Sequence, residues 1–315
     1  MNIIVTGAGG FIGQALLEEF ARDSQIWAIG RQASPQSLRV NERWNVTDLS
    51  DDAQLPIPDP LIAWEVLIHA AGTAHIPITQ ETEAMFWQGN VQATVNAVKL
   101  AQQAGVKHFI LISSIAAATE EDGDLYARTK RMAEKYTLEE CARSGIKCTV
   151  LRPVMVYGEY DVKGNMMKLI HQLHRRFVPL PDRGRTIKPM IYIRNFTWIV
   201  RQVIEEAEQD STIRAVRDVE SWSTYTLCRI VTTLMERRCL IIPLPKWSDR
   251  LLLIALRTAK TLHLFNSVNE NSYRKLSNSL DVAMEPWLLA LKSHFPYTGT
   301  EGLRKTVNGF LESKR

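Results

Sequence analysis

The sequence is poor in cysteine, has no long uninterrupted apolar run and carries no block of like charge. Four of its 315 residues are cysteine. Cys141, Cys148, Cys228 and Cys239 form no CxxC pair and no histidines cluster beside them, which argues against a zinc site. In a chain of this size they are not a disulfide framework, and they read as reduced, mostly buried thiols of a cytoplasmic protein. The most apolar later stretch, "RLLLIALRTAK" at 250–260, is broken by Arg250, Arg257 and Lys260 and is too short to span a bilayer. It reads as an amphipathic core helix. "MNIIVTGAGG" lacks a basic region followed by an apolar core, so no signal peptide and no membrane insertion are expected. Lys and Arg total 38 against 34 Asp and Glu, a net charge of +4. The charges are dispersed, which argues against a nucleic-acid partner.

What is present is a large apolar content, 45%, enough for one large domain or a domain with a smaller lobe. Apolar runs at 2–5, 25–30, 42–46, 64–72, 106–114 and 147–158 alternate with helical periodicity at 11–22, 83–105 and 125–145. That alternation predicts an α/β fold, a Rossmann-type doubly wound parallel sheet with helices on both faces. Beyond about residue 160 prolines punctuate shorter elements. The expected division is a dinucleotide-binding domain over 1–160 and a substrate-binding lobe over 161–315, with some segments returning to the first domain.

"TGAGGFIG" at 6–13 places Gly7, Gly10 and Gly13 three apart between the first strand and the first helix. Glycine suits the tight turn, the close approach of a pyrophosphate and the packing of helix on sheet, and the helix N-terminus offers free N–H groups. NAD binders usually carry an acid at the end of the second strand. Here that end reads "AIGRQ", with Gly30 and Arg31. An arginine there can meet a 2′-phosphate, so NADP(H) is favoured and NAD(H) is the alternative, with Arg31 then a surface residue.

Tyr126 and Lys130 are four apart on an expected helix and share one face. A nearby ammonium favours the phenolate, so Lys130 is expected to lower the Tyr126 pKa. Such a tyrosine exchanges protons with a hydroxyl or ketone. Ser114 ends the fifth strand, at the carboxyl edge where ligands bind such sheets, and can hydrogen-bond the same substrate oxygen. Tyr-x-x-x-Lys also arises by chance in ordinary helices. The weight comes from its company with the phosphate loop. An isolated histidine is more often structural, so His75 is left out of the catalytic set, and "RRF" at 175–177 reads as a solvated helix end.

With "TGAGGFIG", "NVTDL" at 45–49, "HAAGTAH" at 69–75, Asn90, "FILISS" at 109–114, Tyr126-xxx-Lys130 and "LRPVMVYG" at 151–158 in order, the chain resembles the extended short-chain dehydrogenase/reductases. These include nucleotide-sugar epimerases, dehydratases and 4-ketoreductases. The resemblance implies a cofactor set of Gly7, Gly10, Phe11, Ile12, Gly13, Arg31, Asp48, Leu49, Ala70, Ala71, Gly72, Asn90, Tyr126, Lys130 and Pro153. Within the second half, "VKGNMMKLI", "VPLPDRG", "KPMIYIRNF", "SNSLDV" at 277–282 and "YTGTEGLRKTVNGFL" are similar to the UDP-hexose 4-ketoreductase and epimerase branch. That similarity implies that Asn165 meets sugar or diphosphate, the segment around Leu180 packs on uracil, and Arg185 and Lys188 hold phosphates. Lys188 stands where arginine is common, and "IRN" at 193–195 replaces a common acidic pair.

The resulting expectation is NADPH-dependent reduction of the 4-keto group of a UDP-linked, 6-deoxy-N-acetyl hexose, with Ser114, Tyr126 and Lys130 as the catalytic set. The alternatives are a UDP-hexose 4-epimerase retaining NAD and a non-catalytic NADP-sensing regulator. A dehydratase is disfavoured because Ile115 and Ala116 after Ser114 cannot transfer protons. By the same resemblance, the helices at 83–105 and 125–145 form a homodimer interface and the pathway is polysaccharide biosynthesis.

Overall fold

The computed structural model describes residues 1–33, 43–51, 55–74, 76–119, 124–162, 164–206, 210–246 and 282–314. His75, the apolar stretch at 250–260 and most of "SNSLDV" lie outside the described residues. The chain divides into two compact units. One comprises 1–154, 193–216 and 285–296, the other 155–192, 217–284 and 297–315.

The first unit is built on seven parallel strands: β1 (Asn2–Thr6), β2 (Gln25–Gly30), β3 (Trp44–Val46), β4 (Val66–His69), β5 (His108–Ile112), β6 (Lys147–Pro153) and β10 (Thr212–Val216). Their order is β10-β6-β5-β4-β1-β2-β3, and every pairing is parallel. Chain direction across the sheet reverses next to β1, which puts a crevice at the carboxyl ends of the central strands. The inner strands are apolar on both faces, as a sheet covered on both sides requires. Ile3, Ile4, Leu67, Ile68, Phe109, Ile110 and Val150 are all fully buried. Helices α1 (Phe11–Phe20), α2 (Gln80–Phe86), α3 (Ala93–Ala104), α4 (Leu125–Arg143) and α6 (Ile193–Glu205) cover it.

The long helix expected over 83–105 begins at Gln80 and is interrupted by a π-helical turn over Trp87–Gln92. Gly89 permits this turn to approach the exit of β4, since a Cβ there would lie 2.0 Å from Thr73 Oγ1. The stretch at 147–158, expected as a strand and its exit loop, is β6 followed by a short second strand, β7 (Met155–Tyr157), and the chain leaves the first unit between them. Residues 193–216 belong to the first unit through α6, which is clasped to α1 by Arg201. Its guanidinium binds Glu19 and Asp23, each at 2.8 Å, and stacks over Phe20.

The second unit holds a three-stranded sheet, order β11-β9-β7, of β11 (Ser221–Ser223), β9 (Ile187–Tyr192) and β7. A two-stranded parallel pair joins β8 (Phe177–Leu180) to β12 (Leu240–Pro243). Helices α5 (Asn165–His174), α7 (Thr224–Leu234) and, near the C-terminus, α9 (Gly299–Glu312) pack among them. Helix α8 (Pro286–Leu291) belongs to the first unit, where Arg214 stacks over Trp287. Among the described residues no helix is long and apolar enough to cross a membrane.

The glycines of the first loop make a quantitative test. A Cβ at Gly13 would sit 2.1 Å from Gly7 O, whereas one at Gly9 meets nothing within 4 Å. Gly13→Ala is expected to cost roughly 3 kcal/mol and Gly9→Ala close to none, read from urea unfolding midpoints.

Candidate active site

The loop after β1 turns at Gly7, whose φ is +69°; a Cβ there would lie 2.5 Å from Ala71 N. Gly10 precedes α1 and no side chain caps the helix. The N–H groups of its first turn, those of Phe11, Ile12 and Gly13, are left for an anion. This backbone cradle fits a dinucleotide pyrophosphate. The same contact brings Ala70, Ala71 and Gly72, at the exit of β4, against the loop. A Cβ on Gly72 would stand 3.0 Å from Asn90 Oδ1 and 3.2 Å from Lys130 Nζ.

Asn90, on the π-helical turn, is buried and fully engaged. Its Oδ1 accepts from Thr73 N at 2.8 Å, and its Nδ2 donates to Thr73 O at 3.2 Å and Thr129 Oγ1 at 3.1 Å. It therefore ties β4, the π turn and α4 together. At the end of β2, Gly30 lies under Trp44, with the indole ring 2.8 Å from where a Cβ would be. An acidic side chain at Gly30 has no room. Arg31 follows it, exposed. Asp48 accepts from Ser50 N and Oγ, and Leu49 is buried with its carbonyl held by Asn96. Pro153 closes β6 and is buried.

Helix α4 starts at Asp124, whose side chain accepts from Tyr126 N. The Ser114 side chain acts on the Tyr126 phenol, lowering its pKa against burial, and the phenol ring meets Phe86 edge-on at 6.4 Å. Ser114 also accepts from Ala116 N at 3.2 Å, capping a 3-10 turn. Lys130 is buried one turn further on and donates to Ile112 O at 3.1 Å. The structure thus gathers Ser114, Tyr126, Lys130 and Asn90 at the carboxyl end of β4 and β5.

Their electrostatics correct one expectation. The Tyr126 pKa is raised, not lowered: burial disfavours the phenolate most, the Ser114 side chain opposes this, and the Asp124 carboxylate adds to it. Lys130, directed at the Ile112 carbonyl, does not offset that desolvation. Burial brings the Lys130 ammonium itself down to about 8, against the pull of Glu134.

Glu134, Arg152 and Ser113 escaped the sequence reading. Glu134 is 3% exposed. It accepts Ser113 Oγ at 2.5 Å and is held bidentately by Arg152, Nε at 3.0 Å and an Nη at 2.6 Å. Its place four residues after Lys130, on the same helix face, was the available signal. The two consecutive serines divide as strand alternation dictates, Ser113 to this network and Ser114 to Tyr126.

In the second unit, Asn165 is exposed in the first turn of α5. Leu180 is buried at the end of β8, Arg185 is exposed and Lys188 half-buried, with burial depressing its pKa. Between Leu180 and Arg185 three successive residues, Asp182, Arg183 and Gly184, have positive φ, a strained turn of the kind that concentrates at functional sites.

The NAD dependent epimerase/dehydratase family profile matches residues 3–215. UDP-glucose 4-epimerase of Vibrio cholerae is 26% identical over 99% of this chain and 96% of its own length. N-acetyl-alpha-D-glucosaminyl-diphospho-ditrans,octacis-undecaprenol 4-epimerase of Escherichia coli O157:H7 is 24% identical over 64% of this chain and 62% of its own. The fold matches that of MoeE5 solved in complex with UDP-glucuronic acid and NAD, at 19% identity and a TM-score of 0.74 over 99% of this chain and 100% of that one. The chain belongs to the NAD dependent epimerase/dehydratase family and is an NAD(P)-dependent enzyme of the extended short-chain dehydrogenase/reductase type.

Glu134→Gln removes the one charge that raises the Lys130 pKa. The variant is expected to move the Lys130 titration below about 8, read from the 13Cε shift of labelled lysine. Leaving Arg152 without its partner is expected to cost about 3 kcal/mol in urea unfolding.

Proposed function

We propose that this enzyme reduces the C4 ketone of a UDP-linked hexose, a 6-deoxy-N-acetyl sugar, with NADPH. The observation that carries the choice of cofactor is the end of β2. A glycine packed under Trp44 stands where an acid would be needed for ribose hydroxyls, and the exposed Arg31 follows it. The choice of UDP-sugar rests on the full-length similarity to a UDP-glucose 4-epimerase.

Bound NADPH supplies the hydride and leaves as NADP+. The chain supplies the proton and the positioning. Tyr126 Oη, kept protonated by its raised pKa, gives its proton to the former ketone oxygen, so ketone, hydride and proton sum to the alcohol. Ser114 Oγ hydrogen-bonds that oxygen and stabilises the charge developing on it. Lys130 holds the nicotinamide ribose and offers its positive charge nearby. In the same reading Asp48 and Leu49 meet the adenine, Asn165, Arg185 and Lys188 meet the sugar diphosphate, and the segment around Leu180 packs on the uracil. Pairing through α3 and α4 gives a homodimer, and the product enters polysaccharide synthesis.

The similarity to UDP-glucose 4-epimerase over nearly its whole length favours a second reading. There the same residues would serve a retained NAD, with hydride returned to the opposite face of the sugar.

The nucleotide released on denaturing the purified protein separates the two. Empty protein that binds NADPH far more tightly than NADH supports the reductase. Stoichiometric NAD carried through purification overturns it in favour of the epimerase. Arg31→Ser is expected to weaken NADPH about 10- to 100-fold by fluorescence titration and leave NADH nearly unchanged. Tyr126→Phe is expected to lower kcat about 100- to 10,000-fold.

A further inference from the structure

In the second unit, two helix–turn–strand segments lie side by side. Helix α5 ends in Arg175-Arg176 and leads to β8, which opens with Phe177; α7 leads through Glu236 to Arg237-Arg238-Cys239 and then β12, which opens with Leu240. The strands are parallel with Leu240 opposite Phe177, and Leu240 N donates to Arg176 O at 2.9 Å. The pairing thus places two Arg-Arg pairs and two apolar side chains at one edge. Phe177 is 49% and Leu240 62% exposed, and all four arginines are exposed.

The surroundings add to this charge. Arg229 joins Arg237 and Arg238 in lining an open hollow of about 480 Å³, together with Thr232, Thr233 and Glu236. Among the described residues that line it, Glu236 is the only acid. None of these arginines is in an ion pair among the described residues. Arg237, Arg176 and Lys314 act together on His174, depressing its pKa after burial has done so. The turns are held in shape despite their cost: Arg176 and Glu236 both have positive φ, 66° and 52°, where a glycine would relax the strain.

We propose that this edge is a docking surface for an anionic phospholipid bilayer. Arginine forks match lipid phosphates. Each basic residue near an acidic membrane surface contributes about 1 kcal/mol. The exposed Phe177 and Leu240, which follow the two arginine pairs, supply the apolar contact that a lipid interface rewards and a dissolved polyanion does not. An enzyme attached this way sits at the membrane without crossing it, through residues to which the proposed reaction assigns no role.

The test uses the full chain and vesicles of phosphatidylcholine with and without roughly one third phosphatidylglycerol, an acidic lipid whose surface potential attracts basic residues. Co-sedimentation is expected with the acidic vesicles only, weakening as salt is raised. Arg237→Gln with Arg238→Gln is expected to lower the partition coefficient about 30-fold, and Phe177→Ser to lower it further. Arg304→Gln with Lys135→Gln, two exposed cations on other elements, is the control and should change it little. Circular dichroism checks that each variant is folded. Absence of binding to acidic vesicles overturns the proposal, as does binding that the arginine pair does not alter. Equal retention on single-stranded DNA, indifferent to Phe177→Ser, also overturns it and marks a general polyanion surface.

Discussion

A lysine ammonium out of water is the constraint around which the first unit is arranged. Lys130 is 7% exposed, and among the described residues its charged counterweight is Glu134, one turn along α4. Desolvating a cation is costly unless a partner and hydrogen bonds accept it. Here the carbonyl of Ile112 accepts one hydrogen bond from the ammonium. Glu134 would itself be a poor buried group, and Arg152 and Ser113 satisfy its oxygens from β6 and β5. Arg152 in turn feels Glu285 ahead of α8, and Cys148 on β6 feels Glu134. One helix face is therefore locked to two central strands by charge as well as by packing, which fixes the height and rotation of Tyr126 on the same helix.

The opposite wall is fixed by close backbone approach. Gly7 meets Ala71 at a distance where a Cβ would collide, and Gly72 lies so near Asn90 and Lys130 that a Cβ there would be a tight contact. Gly89 lets the π-helical turn reach Thr73, and Asn90 then bonds both Thr73 backbone groups and Thr129. A π turn inside an α-helix sacrifices regular hydrogen bonding and persists where function or packing compensates. Here it turns Asn90 inward, where its amide joins three elements. The result is a cleft floor with little freedom to relax, the condition under which placed dipoles stabilise a developing charge.

Much of this was legible because it is local. The phosphate loop, the ends of β2 and β5, and the four-residue spacing of Tyr126 and Lys130 are read from adjacent residues. Strand and helix alternation gave the parallel sheet by the same logic of short-range periodicity. What was hidden is tertiary. Nothing in the sequence beside Gly89 announces a π turn, because its cause is Thr73 on another segment. The Arg152–Glu134 pair spans 18 residues and two elements. The clasp of Arg201 on Glu19 and Asp23 shows that 193–216 returns to the first unit, and it joins residues about 180 positions apart. In the second unit, Arg175-Arg176-Phe177 looked like a solvated helix end until strand pairing set it beside Arg237, Arg238 and Leu240.

The pKa directions show why local rules misjudged the tyrosine. A lysine near a phenol lowers its pKa only if its field outweighs the loss of water around the phenolate. In this cleft burial raises Tyr126 and lowers Lys130, so dryness moves the two groups in opposite directions. In water tyrosine and lysine titrate within half a unit or so of one another. Here the proton resides firmly on the phenol, and the ammonium is the group nearer to losing its own. A protonated phenol is a donor to an oxygen gaining electron density. Glu134 acts on the other side of the same balance, holding charge on Lys130. The direction of the Tyr126 shift is thus set by water exclusion, and the Tyr126–Lys130 spacing alone would not produce it.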